Sequence, residues 1–239
     1  MIKLPPRSRA DAALALKTKM IKLSPSKLNL FLECPLCFWL NEKGIHRPSG
    51  PFPSLPGGMD RKLKIYFDKY RKMGKMPPEL KGKVQGKLYD NIANIDTWRN
   101  ARKGVSWTDE NGDILYGAID DCLFDGKNFI IVDFKTYGGS EIKDEKIEFY
   151  QNQLDCYALL FEKNGLKHPG FAYLIFFLPV EVKEYGEVKF DIQVRKVEVD
   201  SKRALKTFKD AIKLIKGKRP KKHSECTYCA WADDNWKFE

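Results

Sequence analysis

The stretch Asn111–Thr136, NGDILYGAIDDCLFDGKNFIIVDFKT, decides the fold. β-Branched and aromatic residues alternate on both sides of Asp125-Gly126-Lys127-Asn128, which predicts a β-hairpin over about Asp113 to Thr136. With Gly126-Lys127 as a two-residue loop, Asp125 faces Asn128 and Asp120 faces Asp133. Residues directly opposed across an antiparallel pair hold their Cβ atoms about 4.5–5.5 Å apart, so two carboxylates there can grip one small cation and repel without it. Lys135, two residues beyond Asp133, shares its face with Phe129 and Ile131, while Ile130, Val132 and Phe134 line the other. A type I′ loop at Asp125-Gly126 would slip the register by two and keep the three charges on one face; a three-residue loop would separate them.

Oxygen-only ligation by two carboxylates suits Mg²⁺ or Mn²⁺, which polarise phosphoryl oxygens, and a neighbouring ammonium can orient or help deprotonate an attacking water. That set of groups describes hydrolysis of a phosphodiester. The plainer reading is a strand ending in Asp120-Asp121 and an edge ion pair between Asp133 and Lys135.

The runs Gly117-Ala118-Ile119-Asp120 and Ile131-Val132-Asp133-Phe134-Lys135-Thr136 resemble the G-x-x-D and V-D-[FY]-K-T signatures of the PD-(D/E)XK nuclease superfamily. They are most similar to its RecB-type branch, which includes the nuclease domains of the AddAB and RecBCD repair machines and the small CRISPR-associated exonucleases. The resemblance implies that Asp120 and Asp133 are metal ligands, that the backbone carbonyl of Phe134 is a further ligand, and that Lys135 is the catalytic lysine. Two further stretches are similar to the same branch. Leu23–Pro35 resembles its S-x-S-x-L-x-x-[FY]-x-x-C-P opening, and QLDCY, Gln153 to Tyr157, resembles its Q-x-x-x-Y motif, which implies that Gln153 and Tyr157 contact the nucleic-acid strand. The branch also carries a G-x-x-x-H step whose His ligates the metal. Here Asp60, following Gly57-Gly58, stands where that His is expected and is a candidate extra oxygen ligand, although an Asp in a helix's first turn is ordinarily a cap.

Outside the hairpin, 239 residues suffice for one domain with a substantial core. Residues 1–22 read as a basic, loosely docked leader and 23–239 as the nuclease-like domain. Ser24 with Pro25 starts a helix whose apolar stripe is Leu28, Phe31 and Leu32; a second helix spans about Met59 to Met73. A third runs from about Glu145 to Asn164, ending at Gly165. GFAYLIFFLPV and KFDIQVRKVEV form strands joined by a turn at Tyr185-Gly186, and from Ser201 a helix presents Ala204, Leu205, Phe208, Ala211, Ile212 and Ile215 on one side. VQGKLY and VSWTDENGDILYG suggest strands ahead of the hairpin, for a sheet of four or five strands. Lys and Arg outnumber Asp and Glu 43 to 32, and the net charge of +11 suits a polyanionic partner. The longest apolar run, Phe171 to Val180, is half of what a bilayer requires, so no membrane partner is expected and a cytoplasmic setting is.

Four of six cysteines form two Cys-x-x-Cys pairs, Cys34 with Cys37 and Cys226 with Cys229. Together they complete a four-thiolate set for Zn²⁺ or an iron–sulfur cluster, a clasp between the N- and C-terminal regions; reduced, unligated thiols are the rival. RecB-type nucleases with a 4Fe–4S cluster place one cysteine early and three late, whereas this chain has two and two, and His223 is an alternative ligand. Cys122 and Cys156 read as packing residues, and His46 and His168 carry no role.

These readings converge on an α/β restriction-endonuclease-like core, a mixed sheet flanked by helices. Its expected function is Mg²⁺- or Mn²⁺-dependent cleavage of DNA, exonucleolytic or endonucleolytic, with RNA also open as substrate. The alternative is a non-catalytic nucleic-acid-binding module on the same fold.

Overall fold

The computed structural model describes residues 20–48, 50 and 54–235. Strand β1 (Lys22–Leu23) leads into helices α1 (Pro25–Glu33) and α2 (Pro35–Glu42), followed by helix α3 (Ser54–Lys72), strand β2 (Lys87–Leu88), helix α4 (Ile92–Arg99) and strand β3 (Val105–Thr108). Strands β4 (Ile114–Gly117), β5 (Asp121–Phe124) and β6 (Phe129–Thr136) come next, then helix α5 (Asp144–Lys163), strands β7 (Phe171–Val182) and β8 (Val188–Glu198), and helices α6 (Ser201–Lys216) and α7 (Thr227–Asn235). The chain divides into two compact units. Of the described residues, one holds those up to Arg47, Thr108–Leu115 and those from Thr207 on; the other holds those of Pro48–Trp107 and Tyr116–Lys206.

The second unit is built on a mixed five-stranded sheet in the order β2-β5-β6-β7-β8. Its hairpin has the two-residue loop: Asp121 pairs with Val132, Leu123 with Ile130 and Phe124 with Phe129, and the Asp125 N–H donates to the Asn128 carbonyl. Strands β6 and β7 are parallel, which requires a crossover, and the 20-residue α5 provides most of it. The pleat of β6 sorts its side chains as alternation requires. Ile130, Val132 and Phe134 pack with Leu63 and Phe67 of α3 and with Tyr173, Ile175 and Phe177 of β7. On the other face Phe129 meets Trp98 and Phe161, and Asp133 looks toward α5. Helix α5 is buried continuously from Leu154 to Phe161, including Asp155, whose charge is met by Arg203 at 2.5 Å.

The hairpin's first arm is not one strand. It is broken at Ala118-Ile119-Asp120, so β4 does not join the five-stranded sheet, and of VQGKLY only Lys87–Leu88 does. Helix α3 starts five residues before the expected Met59: Pro56 in a first turn costs little, and Gly57-Gly58 disfavour a helix without forbidding it. Asp60 therefore lies in the second turn rather than the first.

In the first unit, β1 pairs in parallel with β4 through Lys22–Ile114 and Leu23–Leu115. The buried Asp113 carboxylate accepts from the Ile21 N–H at 3.0 Å and pairs with Lys216 at 2.7 Å. Ser24 caps α1, accepting from the Lys27 N–H, with Pro25 at the first helical position. Helix α1 ends at Glu33 and α2 starts at Pro35, because Pro35 supplies no N–H and restricts the residue before it. The expected stripe is only partly apolar contact: Leu28 is fully buried and Leu32 is exposed. Residues 1–19 of the leader lie outside the described residues, whereas Ile21 is buried and Lys22 is already in β1. No described helix is long and apolar enough to cross a membrane.

Candidate active site

The break in the hairpin positions Asp120. Gly117 passes so close to α5 that a Cβ there would meet the Tyr157 ring at 2.8 Å. Tyr157 donates its hydroxyl to the Ala118 carbonyl at 2.7 Å, and the Ile119 N–H donates to the Trp98 carbonyl at 3.2 Å. These tertiary bonds divert 118–120 from the ladder, and Asp120 turns its carboxylate to the ladder's end. There Oδ2 accepts from the Phe134 N–H at 2.9 Å. In a strand, a residue's N–H and C=O point to the same side, so the Phe134 carbonyl belongs to the same edge, beyond the last β5 pair.

Asp133 sits on the adjacent face, 1% exposed. Its Oδ1 accepts from Gln153 Nε2 at 2.9 Å, while Oδ2 is paired with Lys135 Nζ at 2.5 Å. Burial pushes this carboxyl up to about 7; Lys135 opposes the shift and the negative charge of Asp120 adds to it. Burial would depress Lys135, but the Asp133 charge outweighs it and raises the ammonium above its usual range. Lys135 Nζ also donates to Gln153 Oε1 at 3.1 Å and lies 4.3 Å from the centre of the Tyr150 ring.

Gln153 thus grips both Asp133 and Lys135, and its Nε2 reaches the Tyr157 hydroxyl at 2.8 Å. Tyr157 is buried, and burial pushes its hydroxyl well up, so it stays a proton donor. In this arrangement its polar atom is turned to Ala118 and Gln153. Asp133, Lys135, Gln153 and Tyr157 are bonded to one another, and Asp60 and Asp120 are joined by a further residue that the motifs did not single out. Lys64 of α3 lies 2.9 Å from Asp120 and 2.8 Å from Asp60, and Asp120 holds its ammonium above the usual range against burial. The i, i+4 spacing from Asp60 was its only visible signal.

Two other groups escaped the sequence reading. Asp121, fully buried, receives Arg71 at 2.5 Å and Arg99 at 2.8 Å; Asp68 meets both guanidiniums, and Arg99 Nε donates to the Asp120 carbonyl at 2.7 Å. Arg71 also donates to the Tyr89 carbonyl. Near the site, Lys146 faces the rings of Tyr137, Phe149 and Tyr150 at 5.3–5.8 Å, and Phe149, 64% exposed, stands edge-on to Tyr150. Exposed aromatics beside lysines are the usual means of stacking unpaired bases.

The donor set fits a hard divalent cation. Two carboxylates and a backbone carbonyl are the kind of oxygen donors such an ion takes, and the buried Asp133 carboxylate is already held against a positive charge, the Lys135 ammonium.

The first unit contains a second group of metal-ligating residues. The Sγ atoms of Cys34, Cys37, Cys226 and Cys229, all buried, lie within 4.8 Å of one another, joining the N- and C-terminal regions. Each pair begins a helix: Cys34 caps α2 and Cys226 immediately precedes α7. Burial alone would raise Cys34, but the His223 and Cys37 backbone amides outweigh it and hold the thiol at about 6. The His223 ring is outside this group and accepts from the Glu225 N–H. Cys122 and Cys156 are buried apart from it.

A helix-flanked mixed sheet with acids and a lysine at one end of its central strands defines the restriction-endonuclease-like class. Sequence comparison agrees: the PD-(D/E)XK nuclease superfamily model matches residues 59–233, and the chain belongs to that superfamily. No individual curated protein matches it. The superfamily points to a nucleic-acid substrate and a divalent metal.

Proposed function

We propose that the protein is a RecB-type, Mg²⁺- or Mn²⁺-dependent deoxyribonuclease. The observation that carries this reading is the shared neighbourhood of Asp120, the Phe134 backbone and Asp133, with the Lys135 ammonium 2.5 Å from the buried Asp133 carboxylate. Asp120, Asp133 and the Phe134 carbonyl would hold the cation, with Asp60 as an extra ligand. When bound, that cation polarises the phosphoryl oxygens and offsets charge developing in the transition state. Lys135 orients the attacking water, whose oxygen bonds to phosphorus as the bond to the leaving sugar oxygen breaks and that oxygen takes up a proton. Gln153, itself fixed by the buried Tyr157 hydroxyl, keeps the Asp133 carboxylate and the Lys135 ammonium in register beside the strand's path. Phe149, Tyr137 and Lys146 supply stacking and charge for the adjoining nucleotides. A repair or DNA-processing role in the cytoplasm accords with the RecB-type resemblance and the net charge of +11.

The test is cleavage of end-labelled single- and double-stranded DNA and of RNA with Mg²⁺, Mn²⁺ or EDTA. Metal-dependent cleavage of DNA lost in Lys135→Ala supports the reading. DNA binding by wild type with no cleavage under either metal would instead establish the non-catalytic binding module.

A further inference from the structure

The four-cysteine group can be assigned from its own dimensions, independently of the nuclease reading. Cys34 and Cys229 sulfurs are 3.8 Å apart, Cys37 and Cys226 3.7 Å, and Cys37 and Cys229 3.5 Å, with every pair inside 4.8 Å. Four thiolates bound at about 2.3 Å to one tetrahedral ion stand roughly 3.8 Å from one another. In an iron–sulfur cluster at least two of the thiolates bind different irons, and the cluster's bulk spreads such sulfurs to roughly 6 Å. The four-iron cluster implied by the RecB-type resemblance does not fit a group this small, and neither does a two-iron one.

Arg47 adds a second observation. Its Nη2 lies 3.4 Å from Cys226 Sγ, its Nη1 is held by Glu33 at 2.6 Å, and its guanidinium lies 4.3 Å from the centre of the Tyr228 ring. Its Nε–H is buried without an acceptor. Four thiolates around a divalent ion leave a net double negative charge, and a guanidinium fixed against one of the sulfurs offsets part of it. Among divalent ions, zinc suits four thiolates in a closed tetrahedron and imposes no competing geometry of its own.

We infer that Cys34, Cys37, Cys226 and Cys229 hold a single structural zinc ion, with Arg47 as its outer counter-charge. Zinc binding then closes the first unit by tying α2 to the start of α7, the two segments that carry the ligands.

The full chain, purified without air, is analysed for metals and acid-labile sulfide and its absorption spectrum recorded. One zinc per chain, no sulfide and no band near about 400 nm are expected. Replacing zinc by Co²⁺ should produce thiolate-to-cobalt and tetrahedral cobalt bands. Iron in any stoichiometry, or failure of metal-depleted protein to take up Zn²⁺ or Co²⁺, overturns the assignment. Cysteine variants couple loss of a ligand to loss of folding, so Arg47→Gln, which keeps all four ligands, tests the counter-charge. Competition with a chromophoric chelator should show zinc bound roughly tenfold more weakly, within the range for loss of an outer-sphere partner. Unchanged affinity would remove Arg47 from the site.

Discussion

The chain carries two groups of ligand-type residues that are built in opposite ways. At the end of β6 every charge already has a protein partner: Lys64 between Asp60 and Asp120, Lys135 against Asp133, and Gln153 across the pair. Among the cysteines the four sulfurs face one another, and the charged neighbour that approaches them is Arg47. A cation entering the first group must displace or share ammonium ions, so it exchanges and leaves positions open for water and substrate. One entering the second meets a complete set of four donors and is enclosed. Open sites do chemistry and closed ones hold structure.

The largest expected effect breaks the first group and spares the second. Asp133→Asn keeps the shape of the side chain but removes a ligand charge, and a bound cation contributes several kcal/mol of transition-state stabilisation. Cleavage should therefore fall by about a thousandfold or more in single-turnover assays with Mg²⁺, while zinc content stays at one per chain. A brief EDTA treatment should likewise abolish cleavage reversibly and leave the zinc in place. Loss of both metals together would erase the contrast.

Next in size is Asp121→Ala. It leaves Arg71 and Arg99 sharing Asp68 as their remaining acid, so the loss should fall toward the low end of the about 3–5 kcal/mol that breaking a buried pair costs. Chemical denaturation should show that loss as a lower midpoint. Arg99 also holds the Asp120 carbonyl, so residual folded protein should need more Mg²⁺ for half-maximal cleavage.

How much of this was readable in advance depended on whether the cause was local. The Asp-Gly turn and strict alternation put Asp133 and Lys135 on one face and Phe134 on the other, because pleat and loop length are local properties. The break that redirects Asp120 was not readable, since it rests on hydrogen bonds to Trp98 and Tyr157, residues distant along the chain. Nothing in the sequence marked Lys64, Arg71 or Arg99, because the acids that hold them, Asp120 and Asp121, come from another segment of the chain. The cysteine pairs announced a metal, but zinc and iron–sulfur differ by distances that spacing in sequence does not encode.

Phe149→Ala should produce a smaller effect, confined to binding. Stacking on one aromatic contributes about 1–3 kcal/mol per base, so affinity for single-stranded oligonucleotide, measured by fluorescence anisotropy with Ca²⁺ in place of Mg²⁺, should fall about tenfold or somewhat more. Affinity for blunt duplex DNA should change less, because paired bases present no free face. Equal losses on both would indicate a general structural role for the ring.

The smallest expected effect tests the exchange argument directly. Lys64 lies within 2.9 Å of both Asp60 and Asp120, where its ammonium occupies the place of a positive charge that a divalent cation would bring. Removing it with Lys64→Met keeps the buried aliphatic stem and abolishes the competition, at the cost of repulsion between two acids when no metal is bound. A partly exposed ion pair contributes up to about 1 kcal/mol, so the Mg²⁺ concentration for half-maximal cleavage should drop roughly three- to fivefold. Stability without metal should fall slightly and recover when Mg²⁺ is added. If the variant instead needs more Mg²⁺, Lys64 assists the loaded site rather than guarding the empty one, and the two groups of ligands differ less than their partners suggest.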